Sequence, residues 1–358
     1  MIDAPPDLPP RPEPKLDSRL VLYEPSLEFV DKSHVSKTVT DDGDEFFDQD
    51  QIPVYPTGEH FIKFVLPSDA PELPRYILIE GGQRKSGGIG VIYEFWDRKL
   101  GKRVMGKNAD YHTDSAHLKT LMEARMTARF NHPNIVSVHS IGIESDGNAY
   151  YIMDLIEGND LISLLNEDKF TLPQIISTIH QAAQALSFIH QEGYIYADFK
   201  PGNIIIRPDG IIKLIDFGLT QKNVNNFIDV KTTTIRYASP ELTTSMKATQ
   251  SSDIYAFAVT VSAMLIDKKD FSRFADQIKI DPSLPEKFPI KNEFALIFDR
   301  HPELQQELIR IIYKSLDWEP AKRHTSVLEL NAELQEVFKK LGFSHPQFGY
   351  PLFPDESL

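Results

Sequence analysis

The stretch "YIYADFKPGNIIIRPDGIIKLIDFGLT" (residues 194–220) decides how this chain is read. Two strand-like apolar runs carry Asp198, Lys200, Asn203 and Asp216 at their ends. An acid beside an apolar run is costly to bury alone, so a purely structural cluster would need a partner for each. A cation site supplies those partners economically. Asn203 and Asp216 offer hard oxygen ligands of the kind magnesium takes together with phosphate oxygens.

Working outward, "TLPQIISTIHQAAQALSFIHQEGY" has Thr171 as cap, Pro173 in the first turn and Gly193 as stop, which predicts a helix. His180 and His190 in that helix read as packing or surface residues rather than catalysts. The run "DIYAFAVTVSAMLI" (253–266) is apolar all round, the mark of a helix buried at the centre of a helical domain. Two more helices are expected near 303–316 and 325–341. Upstream the pattern is β-like: "HFIKFVL", "RYILIE", and "GVIYEFWD" with "KRVMGKN" about the turn "RKLG". A capped helix follows over 114–130, then "NIVSVHSIGIE" and "AYYIMDLI" joined by the turn "SDGN". The fold class is therefore α+β and bilobal. A small antiparallel sheet with one main helix (59–156) precedes a larger helical lobe (157–341), and a cleft between lobes is a favoured ligand site.

Residues 1–58 hold 13 acidic and 5 basic residues and nine of the 25 prolines. This predicts an acidic, proline-rich, partly disordered arm, although "RLVLYEPSLEFV" (19–30) is apolar enough to dock on the body. Residues 342–358 read as a tail. "DDGDEFFDQD" (41–50) lacks the glycine and terminal glutamate of a calcium loop and reads as solvated. The absence of cysteine excludes disulfides, thiolate metal sites and cysteine nucleophiles, and fits a reducing compartment. A net charge of −14 argues against nucleic acid and anionic membranes as nonspecific partners. No apolar run approaches the roughly 20 residues that span a bilayer, and "MIDAPPDLPP" lacks the features of a signal peptide. The expected location is the cytoplasm, or a host cell if the source is a bacterial pathogen.

In "RKSGGIGVIYEFWDRKLGKRVMGKN" (84–108), the glycines alone do not separate a hairpin hinge from a lid over phosphates. The ordered set of motifs does. Lys107 lies fifteen residues after Ile92, and Glu123 nine before "HPNIV" (132–136). "YIMDLIEG", "DFKPGN", "DFG" (216–218), "YASPE" (237–241), "SSDIYAF" with Asp253, and "EPAKRHT" with Arg323 follow in order. Over roughly residues 76 to 341 the chain resembles the eukaryotic-type protein kinase superfamily, and its style is that of a bacterial member. The resemblance implies ATP and magnesium as cofactors and a protein as substrate. It implies that Gly87, Gly88 and Gly90 let backbone N–H groups approach phosphates. Lys107, held by Glu123, would pair with the α- and β-phosphates. Asn203 and Asp216 would hold magnesium. Asp198 would orient the acceptor hydroxyl and take its proton, and Lys200 would neutralise the moving phosphoryl group. Ile92 and Ile205 would sandwich adenine, with Met153 as gatekeeper and the Asp154–Ile156 backbone facing the base. Arg323 would pair with Glu241. Lys200 followed by proline, and Thr234 seven residues before Glu241, resemble the serine/threonine group.

Five positions depart from the family pattern: Lys85 for a lid glycine, Met105 for alanine, Gly106 within a strand, and Tyr196 and Ala197 for the histidine and arginine before the catalytic aspartate. Gly106 is expected to loosen its strand. Ala197 cannot clamp a phosphate on Thr232 or Thr233, so activity without activation-loop phosphorylation is expected. Two other functions compete: a pseudokinase that binds nucleotide or partners without transfer, and a small-molecule phosphotransferase. Finally, "PPDLPPR" (5–11) matches a ligand for Src-homology domains of the third type, against the plainer reading of a spacer.

Overall fold

The computed structural model describes residues 16–23, 26–30, 36–39, 45–49, 52–56, 61–65, 75–87, 90–108, 114–144, 149–167, 170–279 and 288–343. Gly88, the turn "SDGN", "PPDLPPR" and residues 344–358 lie outside them. The chain divides into two compact units, Met1–Ala124 with Val138–Leu155, and Arg125–Ser137 with Ile156–Leu358.

In the first unit, six antiparallel strands close into a barrel. Their order is Leu16–Tyr23, Val138–Glu144, Ala149–Asp154, Lys102–Asn108, Gly90–Asp97 and Tyr76–Gly87. Tyr76, Phe95, Val104, Tyr150 and Ile152 form the buried centre. The expected turn "RKLG" is held by Asp97. Its Oδ1 accepts the N–H groups of Lys99 and Leu100 at 2.9 and 3.1 Å, and its carboxylate pairs with Arg75. The helix Asp114–Thr127 packs Leu121 against Ala149 of the strand Ala149–Asp154.

The antiparallel sheet closes into a barrel, and the closing strand comes from the supposed arm. Leu16–Tyr23 pairs with Tyr76–Gly87 on one side and Val138–Glu144 on the other. The strands Ser26–Val30, Phe61–Val65, Ile52–Pro56, Glu45–Gln49 and Ser36–Val39 form a separate five-stranded sheet in that order. So "HFIKFVL" belongs to this extra sheet, and the arm of 1–58 is strand-bearing between residues 16 and 56. Within the arm, β-branched and aromatic residues cluster in these strands, and strand formation responds to a few residues at a time.

The second unit is helical. Its centre is the helix Gln250–Leu265, buried without a break from Ser252 to Leu265. Around it lie the helices Leu172–Gln191, Pro302–Ser315 and Val327–Lys340, close to the expected bounds. Thr171 N donates to Gln174 Oε1 at 2.9 Å to start the first of these, and Gly193 ends it with φ of 81°. Leu161–Glu167, Pro240–Ser245, Lys268–Gln277 and Asn292–Phe298 are shorter helices that the periodicity did not reveal. The apolar runs around the opening stretch become Ile204–Ile206 and Ile212–Leu214, joined by Asn159–Asp160 into a small antiparallel sheet. "HPNIV" is tied to this sheet: Leu214 N donates to Asn134 O at 2.7 Å and Val136 N to Leu214 O at 3.1 Å. That is why residues 125–137 belong to the second unit rather than to the smaller lobe.

Candidate active site

Two constellations bring the expected residues together, one in each unit. In the first, Lys107 and Tyr151 are cross-strand partners, and on that shared face both reach Glu123 of the helix. Lys107 Nζ donates to both carboxylate oxygens of Glu123 at 2.7 Å, and Tyr151 Oη donates to Oε1 at 2.7 Å. Lys107 and Glu123 are both buried, so each depends on the other for its charge. Ile92 pairs with Lys107 in the neighbouring strand and is half-buried, while Gly87 and Gly90 face each other at the hairpin end. Met105 pairs with Met153. Asp154 ends that strand and binds His139 Nε2 through Oδ1 at 2.7 Å.

Gly106 does not loosen its strand, contrary to expectation. It keeps regular pairing with Tyr93 and Ile152. A Cβ there would stand inside the contact distance of the buried Phe95 ring. The glycine is the space that the ring occupies.

In the second unit the opening stretch becomes a hydrogen-bonded cluster. Lys200 Nζ donates to Asp198 Oδ2 at 2.6 Å and to Thr234 Oγ1 at 2.9 Å, and Thr234 Oγ1 donates to Asp198 Oδ1 at 3.3 Å. Asn203 Nδ2 donates to both the backbone O and Oδ2 of Asp198, each at 2.9 Å. Burial raises the pKa of Asp198. The Lys200 charge and the bonds from Lys200 and Asn203 work the other way, and Asp216 adds to the rise. The result is a carboxylate more basic than usual, which suits a proton acceptor. Asp216 takes a left-handed backbone with φ of 67°, and its Oδ1 accepts Gly218 N at 3.2 Å. Ile205 is half-buried in the small sheet, and Ile156 half-buried where the second unit resumes.

Do these residues fit magnesium? Both hydrogen bonds of the Asn203 amide nitrogen go to Asp198, which leaves its carbonyl oxygen as the group for a cation. With the Asp216 carboxylate, that makes a donor set of hard oxygens, suited to magnesium and not to softer metals. Elsewhere in this unit His324, Glu329 and Glu333 bring three donors within 4.8 Å of one another. There the Lys314 ammonium already lies 3.0 Å from Glu329 and 3.4 Å from Glu333.

The loop before Asp198 is fixed from below. Asp253 accepts Tyr196 N and His190 Nε2 on Oδ2, at 2.9 and 2.8 Å, and Ala197 N on Oδ1 at 2.8 Å. His190 thus shares Asp253 with the backbone of the loop that leads to Asp198. Its role was not legible, because the signal is a partner 63 residues away. Tyr196 packs edge-on against Phe217, 5.2 Å between centroids, and donates to Ile215 O at 2.5 Å. Burial, with the charges of Asp216 and Asp198, raises its pKa well above the ordinary value, so the donor proton stays. Ala197 has φ of 65° and joins Ile195, Ile228, Val230, Ala238, Leu242 and Ala248 in an apolar cluster. Glu241 and Arg323 form the expected pair, with two parallel hydrogen bonds of 2.8 Å. Thr232 is exposed, and Thr233 and Thr234 are half-buried.

A family profile described as the protein kinase domain matches residues 85–338. The chain is similar to the serine/threonine-protein kinase PknA of Mycobacterium tuberculosis, 34% identical over 200 residues, which cover 52% of this chain and 46% of that protein. It is 29% identical over 269 residues to PknB of Mycolicibacterium smegmatis, covering 70% of this chain and 41% of that one. A probable serine/threonine-protein kinase of Clostridium acetobutylicum is 28% identical over 262 residues, 70% of this chain and 38% of its own. The matched part therefore spans less than half the length of these relatives. Among the described residues no helix is long and apolar enough to cross a membrane.

Proposed function

The chain belongs to the protein kinase domain family, and from that premise we propose that it is an ATP-dependent protein serine/threonine kinase. The observation that carries this reading is the closed set of hydrogen bonds among Asp198, Lys200, Asn203 and Thr234. A structural cluster needs no carboxylate with raised pKa bound to a lysine and a threonine at once. Asp198 takes the proton of the acceptor hydroxyl, and Lys200 balances charge on the phosphoryl group in transit. Lys107 binds the α- and β-phosphates of ATP, oriented by Glu123 and Tyr151. Gly87, Gly88 and Gly90 give the phosphates access to backbone N–H groups. Ile92, Met153, Ile205 and the Asp154–Ile156 backbone contact adenine. Asn203 and Asp216 hold magnesium, which when bound neutralises phosphate charge.

The same reading extends to control. The segment after Asp216 is supported by short pairings, Gln221–Lys222 with Tyr194–Ile195 and Ile228–Asp229 with Lys247–Ala248. Ile228 and Val230 pack in the cluster that contains Ala197. Apolar packing takes the place of a phosphate clamp, so the enzyme is active with Thr232 and Thr233 unmodified. It works in the cytoplasm. The test is incubation with labelled ATP, magnesium and a generic protein substrate, followed by phosphoamino-acid analysis. Label on serine and threonine is expected. Nucleotide binding without transfer would leave a pseudokinase, and label confined to small molecules a phosphotransferase of another class.

A further inference from the structure

The helix Val327–Lys340 and the loop before it bring three metal-type donors together away from the catalytic cluster. Glu329 and Glu333 lie one turn apart on the helix and so share a face. With His324 they place three donor atoms within 4.8 Å of one another. The His324 side chain is 0% exposed. Its Nδ1 lies 2.6 Å from Ser315 Oγ. Its Nε2 faces Glu333 Oε1 from 3.5 Å and has no hydrogen-bond partner among the described residues. A buried polar atom without a partner is costly, and an ion is one of the ordinary ways of satisfying it.

We propose that His324, Glu329 and Glu333 form a binding site for a divalent transition-metal cation, zinc in the first place, with Lys314 as its competitor. The ligand atoms are His324 Nε2, Glu329 Oε1 and Glu333 Oε1. The other oxygens are already engaged. Thr325 N and Oγ1 donate to Glu329 Oε2, both at 2.7 Å, and Arg310 Nη2 donates to Glu333 Oε2 at 3.3 Å. Those bonds orient the carboxylates and leave each Oε1 for the cation. With Nδ1–H donating to Ser315 Oγ, His324 Nε2 carries the lone pair that a metal needs.

The ammonium of Lys314 marks where a cation belongs. Lys314 Nζ donates to Glu329 Oε1 at 3.0 Å and to Glu333 Oε1 at 3.4 Å, the same two oxygens. It satisfies the acids and leaves the imidazole nitrogen unpaired, whereas a metal ion serves all three donors. Ligands about 2.0–2.2 Å from a tetrahedral zinc lie about 3.3–3.6 Å apart, and 3.5 Å already separates His324 Nε2 from Glu333 Oε1. The Lys314 side chain is 31% exposed on a flexible stem, so it can leave for water. An imidazole with two carboxylates suits zinc better than magnesium or calcium, which prefer oxygen alone. Zinc imposes no angles of its own and accepts water as a fourth ligand. The ion ties the helix Val327–Lys340 to the loop that carries Arg323, the partner of Glu241, so the role it fits is structural.

This site does not depend on the kinase reading, and its test needs no activity. The full chain is stripped with EDTA, dialysed free of it, and titrated with zinc chloride by calorimetry in the absence of nucleotide. One zinc per chain is expected, not displaced by excess magnesium chloride, with a single imidazole among oxygen ligands in X-ray absorption at the zinc edge. Zinc should also raise the melting temperature. Glu333→Gln should weaken zinc at least about tenfold, the loss that even an indirect partner of a metal causes, and abolish the rise in melting temperature. Lys314→Met should tighten zinc about tenfold, because the competing ammonium no longer fills the site; damage to the fold would not improve binding. No zinc bound by the wild-type chain overturns the proposal. Zinc bound equally by Glu333→Gln means an adventitious ion only, held by other histidines, and overturns it too. Unchanged or weaker binding in Lys314→Met would show that the ammonium does not occupy the metal position, and the proposal falls.

Discussion

The Asp253 carboxylate accepts the backbone N–H of Ala197 at 2.8 Å, 56 residues back along the chain. With the bonds from Tyr196 N and His190, it sets the course of the backbone one residue before Asp198. Asp253→Asn keeps shape and acceptor count on one oxygen but turns an NH2 group toward a donor. The loss of charge-assisted bonds should cost about 2–4 kcal/mol, since hydrogen bonds to charged groups contribute roughly 1.5–3 kcal/mol each. We expect a lower melting temperature and a fall in kcat with KM for ATP little changed. Unchanged kcat would mean that the Asp198 loop holds its course without Asp253.

Lys107→Met should remove transfer by about a hundredfold or more, the scale of losing a charge aimed at the reacting phosphates. It should also destabilise, because Glu123 is buried and loses its cation. Adding Glu123→Gln is expected to restore much of the stability and none of the transfer. Thermal melting and initial rates on the single and double variants separate the two roles. Recovery of transfer in the double variant would show that Lys107 only neutralises Glu123.

Gly106→Ala should cost about 1–3 kcal/mol, the usual effect of forcing a methyl group into a filled space. Here the obstacle is the Phe95 ring. Phe95→Leu in the same chain should absorb part of that cost, so that the double variant is more stable than the sum of single effects requires. Denaturant unfolding of the four proteins tests it, and strict additivity would place the strain elsewhere.

Gly106 also marks where sequence stops being legible. The sequence singles out Asp198, Asn203 and Asp216 because residue type and spacing are constrained together, and the structure brings Asn203 onto Asp198. Glu241 and Arg323, 82 residues apart, were readable only through resemblance, since no local pattern links them. Gly106 looked like a weakness because its reason, Phe95, lies one strand away. His190 looked idle for the same cause. The strand Leu16–Tyr23 closes a barrel through two pairings that composition averaged over residues 1–58 hides.

Glu241 supplies a pH dependence. Burial would raise its pKa, but the hydrogen bonds and charge of Arg323 outweigh burial and lower it. A folded-state pKa below the unfolded one gives stability that is present above the ordinary carboxylate range near 4.3. That stability is lost as pH falls through the folded pKa. Glu241→Gln should flatten this part of the acid limb. It should also cost about 3–5 kcal/mol at neutral pH, because the Arg323 side chain is 0% exposed and would remain charged. Melting temperatures from pH 3 to 8 on both proteins give the comparison. A parallel acid limb in the variant would assign the dependence to other carboxylates.

The proposed independence from activation-loop phosphorylation rests on Ala197. It sits at φ of 65° in an apolar cluster with Ile228 and Val230, where an arginine would have to place its stem and charge among buried hydrocarbons. Ala197→Arg should therefore destabilise by about 2 kcal/mol or more, the cost of overpacking a core and burying an unpaired charge. It should confer no dependence on phosphate. Expression of the wild-type chain with a phosphatase, with mass spectrometry to confirm that residues 216–241 are unmodified, should give full initial rates with no lag. The double variant Thr232→Ala/Thr233→Ala should keep its rate within about twofold, the span of a surface change that touches no named mechanism. Thr234 must be left intact in this experiment, because its hydroxyl bonds both Lys200 and Asp198 and its loss would lower the rate for another reason. A lag that disappears on autophosphorylation, or a tenfold loss in the double variant, would mean that a basic residue such as Lys222 or Lys231 receives the phosphate. The apolar packing around Ala197 would then be a consequence of ordering and not its source.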